Sequence, residues 1–197
     1  MKKILFVALL FITNSIYSQT LDSFMGIKFG TSRDSVKKIM LSKQGCTLNK
    51  ESSGDDFMAF QNVKFAGREA LFISFKFVDN KFHTSSVLFT STLESKAIEL
   101  YNDIKDELNE KYYKTESDFE TYKYPYEKDD GHVETAIKIG KATFSSFWGF
   151  KNSNDENITN YISLIISETL SIILSYQDSI LLKIAIEREK QKNNADY

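Results

Sequence analysis

The chain has 197 residues, a formal net charge of −2 and a hydrophobic fraction of 42%, and it includes sixteen Phe and ten Tyr. This length suits one domain with a substantial core or two small packed units, and a single proline leaves no proline-rich linker. A mildly acidic chain without a stripe of lysine and arginine attracts nucleic acid poorly, so we expect no nucleic-acid partner. Cys46 is the only cysteine, which excludes an intramolecular disulfide.

The first eighteen residues have the layout of a secretory signal peptide. Lys2 and Lys3 precede an uninterrupted apolar run, residues 4–12, and a polar stretch that ends at Ser18. The run is shorter than the roughly 18 residues that a membrane span needs. We therefore predict cleavage between Ser18 and Gln19. Because no cysteine near this point offers a lipid anchor, we expect a soluble periplasmic or secreted protein without stable membrane insertion.

The first half of the mature chain predicts one helix followed by three strands. Thr31 is placed to cap the helix, Asp34 lies near the positive end of its dipole, and Gly45 is placed to end it. The strands are rich in aromatic and β-branched residues, and the short segments between them, residues 66–68 and 79–81, suit hairpin turns. The predicted strands are residues 57–65, 70–78 and 82–89.

The second half predicts a longer helix, four more strands and a C-terminal helix. Ser91 and Glu94 fit the capping-box pattern, in which two side chains bond reciprocally to backbone N–H groups of the first turn. An apolar repeat at helical spacing follows, formed by Ala97, Tyr101, Ile104, Leu108 and Tyr112. The predicted strands are residues 118–124, 142–150, 160–167 and 170–176, and the last helix covers residues 178–195.

This order of elements predicts the α+β class. We expect a mostly antiparallel sheet of about seven strands with three helices, in the order helix, three strands, helix, four strands, helix. Residues 19–197 would form a single compact domain. Residues 24–90 and 91–177 share an element order that predicts a degenerate tandem repeat, although no residue-level identity links them.

One segment carries a resemblance to known proteins. Residues 24–39, FMGIKFGTSRDSVKKI, resemble the opening of many small exported bacterial proteins of uncharacterised role. The element order is also similar to that of small outer-membrane-assembly lipoproteins and, doubled, to the β-lactamase-inhibitor-protein fold. The chain lacks the lipid-bearing cysteine of the first group and the disulfides of the second. The resemblance implies a scaffold that often binds other proteins.

The strand at residues 142–150 makes a sharp prediction about the sheet. Its side chains alternate, so Phe144, Ser146, Trp148 and Phe150 share one face, and Thr143, Ser145, Phe147 and Gly149 share the other. We expect the first set to face the helices. The second set, mostly small and polar, would then lie on an open sheet face that receives a partner.

The chain has two histidines, which limits the catalytic arrangements it can build. His83 lies within a predicted strand and is interpreted as a residue without a chemical role. His132 lies in the segment EKDDGHVE, residues 127–134, with Asp129, Asp130 and Glu134 nearby. This segment lacks EF-hand spacing, a His-x₃-His pair and a cysteine pair. We interpret it as a solvated acidic loop and expect neither a metal nor a cofactor.

Aromatic residues supply the candidate binding site. Tyr122, Tyr124 and Tyr126 surround Pro125, and Trp148 lies in a second aromatic group. Exposed Tyr and Trp mark binding surfaces, although in a sheet protein they also complete cores and protect edges. We therefore predict an exported, non-enzymatic binding protein of the bacterial cell envelope, with an envelope or secreted protein as its partner.

Two other functions compete with this prediction. The first is an exported hydrolase that uses the carboxylates of residues 127–134, since a pair of carboxylates suffices for glycoside cleavage. The second is membrane adhesion through the C-terminal helix, which its mixed charges disfavour.

Overall fold

A computed structural model describes residues 20–195, so the predicted signal peptide and its cleavage point lie outside the described residues. The helices are α1 (Arg33–Leu41), α2 (Ala97–Lys111), α3 (Val133–Lys138) and α4 (Ser179–Ala195), and a 3₁₀ turn (Glu94–Lys96) leads into α2. The strands of the first half are β1 (Ser23–Phe24), β2 (Ile27–Lys28), β3 (Thr47–Gly54), β4 (Phe57–Gln61), β5 (Val63–Phe65), β6 (Arg68–Ala70), β7 (Phe72–Val78) and β8 (Lys81–Phe89). The later strands are β9 (Ser117–Tyr122), β10 (Ala142–Lys151), β11 (Thr159–Ile166) and β12 (Ile172–Gln177).

One antiparallel sheet of eight strands organises the molecule, in the order β3-β4-β7-β8-β12-β11-β10-β9. The α+β class and the large antiparallel sheet are confirmed. The described chain has eight strands in this sheet and four helices, rather than the predicted seven and three. Two further ribbons, β1–β2 and β5–β6, lie outside the main sheet.

The sheet consists of two four-stranded meanders that meet at the β8–β12 pair. The first meander follows α1 and the second follows α2, so the two halves have a matching order of elements. Two copies of a helix-plus-four-strand unit would produce this arrangement. The tandem repeat itself remains a prediction.

Two errors in the predicted strands have identifiable causes. Strand β3, TLNKESSG, is an edge strand with half-buried and exposed side chains, so it shows none of the apolar alternation that predicts a strand. The predicted strand at residues 57–65 is broken by Asn62, which has a φ of +58°. The chain therefore leaves the sheet after β4, and β5 pairs with β6 instead.

The helix starts also differ from the predicted ones. Ser32, not Thr31, caps α1 and accepts a hydrogen bond from the N–H of Ser35. The predicted capping box of α2 does not form: the hydroxyl of Ser91 donates to the carbonyl of Leu93, and the carboxylate of Glu94 accepts from Lys138. Helix α2 begins later, at Ala97, and the apolar repeat is confirmed by its four buried members: Ala97, Tyr101, Ile104 and Leu108.

The hydrophobic core lies on one side of the sheet, which we call the covered face. Helix α2 packs on β11 and β12, and α1 contributes Val36 and Met40. The β1–β2 ribbon adds Phe24, whose ring lies 5.4 Å from that of Phe65 and 5.0 Å from that of Tyr176. The largest fully buried side chains include Trp148, Tyr101, Phe24, Phe60, Phe75 and Phe82. Burial of these rings on a single face is the main source of stability.

The start of α4 is fixed by a buried polar network. Asp178 caps the helix, since its Oδ1 accepts a hydrogen bond of 2.8 Å from the N–H of Leu181. Its Oδ2 accepts from Asn152 Nδ2 at 3.1 Å, and the same nitrogen donates to Asn160 Oδ1 at 3.0 Å. Asn160 Nδ2 in turn donates to the carbonyl of Leu21 at 2.7 Å. The network therefore joins the N-terminal segment, the β10–β11 loop and α4.

Asp178→Ala is expected to lower the free energy of unfolding by about 2–3 kcal/mol, because it removes a helix cap and leaves a buried amide short of an acceptor. Urea unfolding followed by circular dichroism measures this loss. Asp34→Ala, at an exposed position in the first turn of α1, is the control and should cost less than about 0.5 kcal/mol. Equal losses in the two variants would contradict the structural role of the network.

Candidate functional site

The predicted alternation along β10 is confirmed. Phe144, Ser146, Trp148 and Phe150 are buried, and Trp148 has no exposed surface. In the opposite set, Thr143 and Gly149 are exposed and Phe147 is half-buried, whereas Ser145 is buried although it lies on the same side of the strand. The register places Trp148 opposite Ile162 on β11, which lies opposite Tyr176 on β12, so all three point toward the core. We call the other side of the eight-stranded sheet the open face.

Two rows of side chains cross the middle of the open face. One row is apolar and half-buried, with one residue from each of four adjacent strands in register: Ile165, Ile173, Leu88 and Phe72. The next row is made of serines from the same strands: Ser163, Ser175, Ser86 and Ser74. The hydroxyl groups of Ser86 and Ser175 are hydrogen-bonded at 2.8 Å. The centre of the open face is therefore smooth, uncharged and partly apolar.

The open face has few charges for this chain. Charged residues make up 26% of the sequence, yet outside the irregular part of β3 the described strands place only Lys76, Lys81 and Lys151 on this face, all toward one end. The centres of protein–protein interfaces are depleted in charged residues in the same way.

Aromatic side chains lie at the β9–β11 side of the open face. The rings of Phe119 and Phe147 meet edge to face at 6.1 Å, and Phe119 is half exposed. Tyr161 lies beside Gly149. A Cβ atom added to this glycine would lie 3.7 Å from the tyrosine ring. Tyrosine and phenylalanine at such positions are the usual anchors of a bound partner.

Helix α4 covers only one end of the open face. It contacts β8, β7 and β11, and its Leu182 and Ala185 share a pocket with Lys76 and His83. Two exposed ion pairs also link the helix to turns at the end of the sheet, with Arg188 at 3.5 Å from Asp79 and Lys192 at 3.5 Å from Asp56. Among the described residues, no other helix packs on this face.

His83 is buried beneath α4 at a β-bulge between β7 and β8. Its Nδ1 lies 2.8 Å from the hydroxyl oxygen of Thr84. Burial, reinforced by repulsion from Lys76 and offset in part by Asp178 and Asp56, lowers the pKa of His83 to about 4. The ring is therefore neutral at pH 7 and acts as a packing residue.

The four predicted binding residues do not form one surface. Tyr122 and Tyr126 are half-buried, and Tyr124 is 89% exposed. Trp148 lies in the core, where its Nε1 donates to Asn109 Oδ1 at 3.2 Å and to the carbonyl of Tyr113 at 3.1 Å. Trp148 is therefore not part of an exposed binding surface, which corrects the prediction. The alternation of side chains along β10 turns Trp148 toward the face of the sheet that α2 covers.

The acidic loop at residues 127–134 does not gather its carboxylates around a cavity, since Asp129 lines a groove between this loop, α2 and β9 while Glu127, Asp130 and Glu134 do not. Asp130 accepts hydrogen bonds from the backbone N–H groups of Glu127 at 3.0 Å and His132 at 2.8 Å, and these bonds lower its pKa. The carboxylate of Asp130 therefore stabilises its own loop. His132 is exposed, and within residues 20–195 no three His, Cys, Asp or Glu side chains are grouped to hold a metal ion.

A groove of about 860 Å³ lies between α2, β9 and the segment at residues 128–133. We call it the α2–β9 groove. Its walls carry Asn102 and Lys105 from α2 and Asp118, Glu120 and Tyr122 from β9, with Phe144 of β10 also lining it. Of the predicted binding residues, Tyr122 alone lines this groove.

A hydrogen-bonded chain runs from the core into the groove. Tyr101 donates its hydroxyl to Ser146 at 2.6 Å, because Ser146 itself donates to Asp118 Oδ1 at 2.7 Å. Lys105 Nζ lies 3.0 Å from Asp118 Oδ2 and completes the chain. One feature of the sequence indicates this hydrogen-bonded chain: the polar residue Ser146 lies among the core-facing aromatic residues of β10.

The electrostatics of this chain keep Asp118 ionised and Tyr101 neutral. Burial by itself would raise the pKa of Asp118, but hydrogen bonds from Ser146 and Lys105 outweigh it and lower the pKa. Burial raises the pKa of Tyr101 to about 12. Burial and a hydrogen bond to Glu120 also raise the pKa of Tyr122. Asp118 thus stays ionised, and Tyr101 and Tyr122 stay neutral, at neutral pH.

Among the described helices, none combines the length and the apolar character that crossing a membrane requires.

No protein-family model matches the chain, and comparisons with the curated proteins and with the solved structures find no match either.

Proposed function

We propose that this chain is an exported binding protein of the bacterial cell envelope and that the open face is the surface that holds its protein partner. The observation that carries the proposal is the open face itself, a wide area of sheet with an apolar row and almost no charge. Exposing the apolar row of this face to water is unfavourable, and a bound partner would remove it from water.

The chemistry of the open face defines the partner. Its centre needs an uncharged surface of aliphatic and hydroxyl groups, because a charge placed over Ile173 and Ser175 would lose its water without gaining an ion pair. Carboxylates at the rim of the partner would pair with Lys76 and Lys151. Phe119, Phe147 and Tyr161 would supply the aromatic anchors.

The competing hydrolase has less support. Of its carboxylates at residues 127–134, Asp129 lines the α2–β9 groove but Glu127, Asp130 and Glu134 do not, and Asp130 is occupied by hydrogen bonds from its own backbone. The active carboxylates of glycosidases stand on opposite sides of a bound substrate, roughly 5–10 Å apart. The open face therefore remains the better basis for function.

Ile173→Glu tests the proposal, because it places an unpaired carboxylate in the centre of the open face. The mature chain is used to capture proteins from an envelope extract, and a captured protein is identified, purified and titrated against each variant. We expect Ile173→Glu to weaken that binding at least tenfold, about 1.4 kcal/mol. Lys151→Glu should weaken it less and mainly lower the association rate at low salt.

Ile39→Glu is the matched control, since it makes the same change at an exposed position of α1. It should bind like the wild type, and all variants are compared only where circular dichroism shows them folded. Equal affinities of the wild type and Ile173→Glu for the purified partner would overturn the proposal. The proposal would also be overturned if Ile173→Glu captured every protein that the wild type captures.

A further inference from the structure

We propose that the α2–β9 groove is a second binding site and that its ligand is a neutral saccharide. Apart from Phe119, which also belongs to the open face, the residues that line this site lie between α2 and the edge strand β9, beside the covered face. Its volume of about 860 Å³ falls within the range of roughly 300–1,000 Å³ that is typical of small-molecule sites.

Four of the five charged side chains that line the groove form two ion pairs. Lys105 lies 3.0 Å from Asp118, and Lys128 lies 3.2 Å from Glu120. The fifth is the exposed carboxylate of Asp129, which has no ion pair among the described residues. An anionic ligand would have to displace a carboxylate and would be repelled by Asp129, and a cationic ligand would meet two lysines close to that carboxylate. This pairing favours a ligand without net charge.

The same pairs present an ordered set of hydrogen-bonding groups. Asp118 is held from two sides by Ser146 and Lys105, and Glu120 is held by Tyr122 at 2.9 Å as well as by Lys128. Sugar hydroxyl groups donate to carboxylates and accept from ammonium and amide groups at the same time. Asn102 adds an exposed amide to the wall formed by α2. Prearranged polar groups of both kinds suit a polyhydroxylated ligand.

Aromatic rings complete the site. Tyr122 meets Phe144 edge to face at 6.2 Å, and Phe144 meets Tyr101 edge to face at 6.1 Å. Because its hydroxyl is bonded to Glu120, the ring of Tyr122 is held in place beside the groove. A pyranose ring carries an apolar C–H face, and a fixed aromatic ring is the surface on which that face packs. Rings beside paired polar groups match the two-sided character of a sugar.

The test titrates the mature chain with maltotriose, cellotriose, xylotriose and chitotriose, and follows amide chemical shifts by NMR. We expect at least one trisaccharide to cause saturable shifts at the residues that line the groove. Tyr122→Ala should weaken its binding about tenfold, the effect of losing one aromatic anchor. Asp118→Asn should weaken it as well, while the shape of the groove is preserved.

Tyr161→Ala is the matched control, since it removes a tyrosine of the open face instead. It should bind the trisaccharide like the wild type, which separates this site from the proposed protein-binding surface. The proposal is overturned if none of the four probes gives saturable shifts. It is also overturned if Tyr122→Ala and Tyr161→Ala bind equally well, or if trigalacturonate, an anionic probe, binds more tightly than the neutral sugars.

Discussion

Trp148→Ala is expected to lower the free energy of unfolding by about 3–5 kcal/mol, the range for removing a buried large aromatic side chain. Trp148 has no exposed surface and is the largest of the fully buried side chains. Its loss would also leave Asn109 Oδ1 and the carbonyl of Tyr113 without their indole donor. Urea unfolding followed by far-ultraviolet circular dichroism measures the change, because the variant lacks the tryptophan whose fluorescence would otherwise be used.

Tyr124→Ala is the control, because this ring is 89% exposed. We expect a loss below about 0.5 kcal/mol. Trp148→Phe should fall between the two, since it keeps most of the packing and loses the hydrogen bonds. If Trp148→Ala lowered the free energy of unfolding as little as Tyr124→Ala does, Trp148 would have to lie on the surface rather than in the core.

The second large effect is a pH dependence caused by His83. Its folded pKa of about 4 lies below the ordinary value of 6.5, so between these values the unfolded chain binds a proton that the folded chain does not. Stability is therefore lost as the pH falls from 6.5 to 4, and the loss from this residue is about 3 kcal/mol. Unfolding free energies measured at intervals across this range would show the decline.

His83→Gln removes the titration while keeping a buried polar side chain of similar size. The variant should show a flatter profile between pH 6.5 and 4, whereas His132→Gln, at an exposed position, should leave the profile of the wild type unchanged. Below pH 4 both variants should lose stability as Asp118 is protonated, because the folded state lowers the pKa of that carboxyl group. A profile of His83→Gln that parallels the wild type would show that His83 is not the cause.

Local patterns in the sequence predicted the elements that bury a face. The apolar repeat of α2 and the alternation along β10 were both visible before the fold was known, since side-chain direction in a helix or strand follows from backbone geometry. The hairpin at Asp79 and Asn80 is of the same kind, because both residues adopt the positive φ that such turns require. These features depend on neighbours in the chain and are readable from it.

Other features depend on contacts between distant parts of the chain. Strand β3 exists because β4 offers it a pairing edge, and its own polar sequence gives no sign of this. The alternation of β10 predicts that Trp148 faces the helices, but only the packing of α2 and the segment after it on the sheet shows that its side chain has no exposed surface. The competing hydrolase relies on the carboxylates of the acidic loop, and only the folded loop shows that backbone hydrogen bonds occupy Asp130.

The sequence by itself determined the α+β class, the helical face of α2 and the side of β10 that meets the core. The tertiary structure decided that the open face spans two meanders and that the α2–β9 groove exists, since residues as far apart as Tyr101, Asp118 and Ser146 meet there. The physical reason is one of range. Periodic burial is imposed residue by residue along one element, whereas a surface or a groove is made by elements whose relative positions are set by the packing of the whole core.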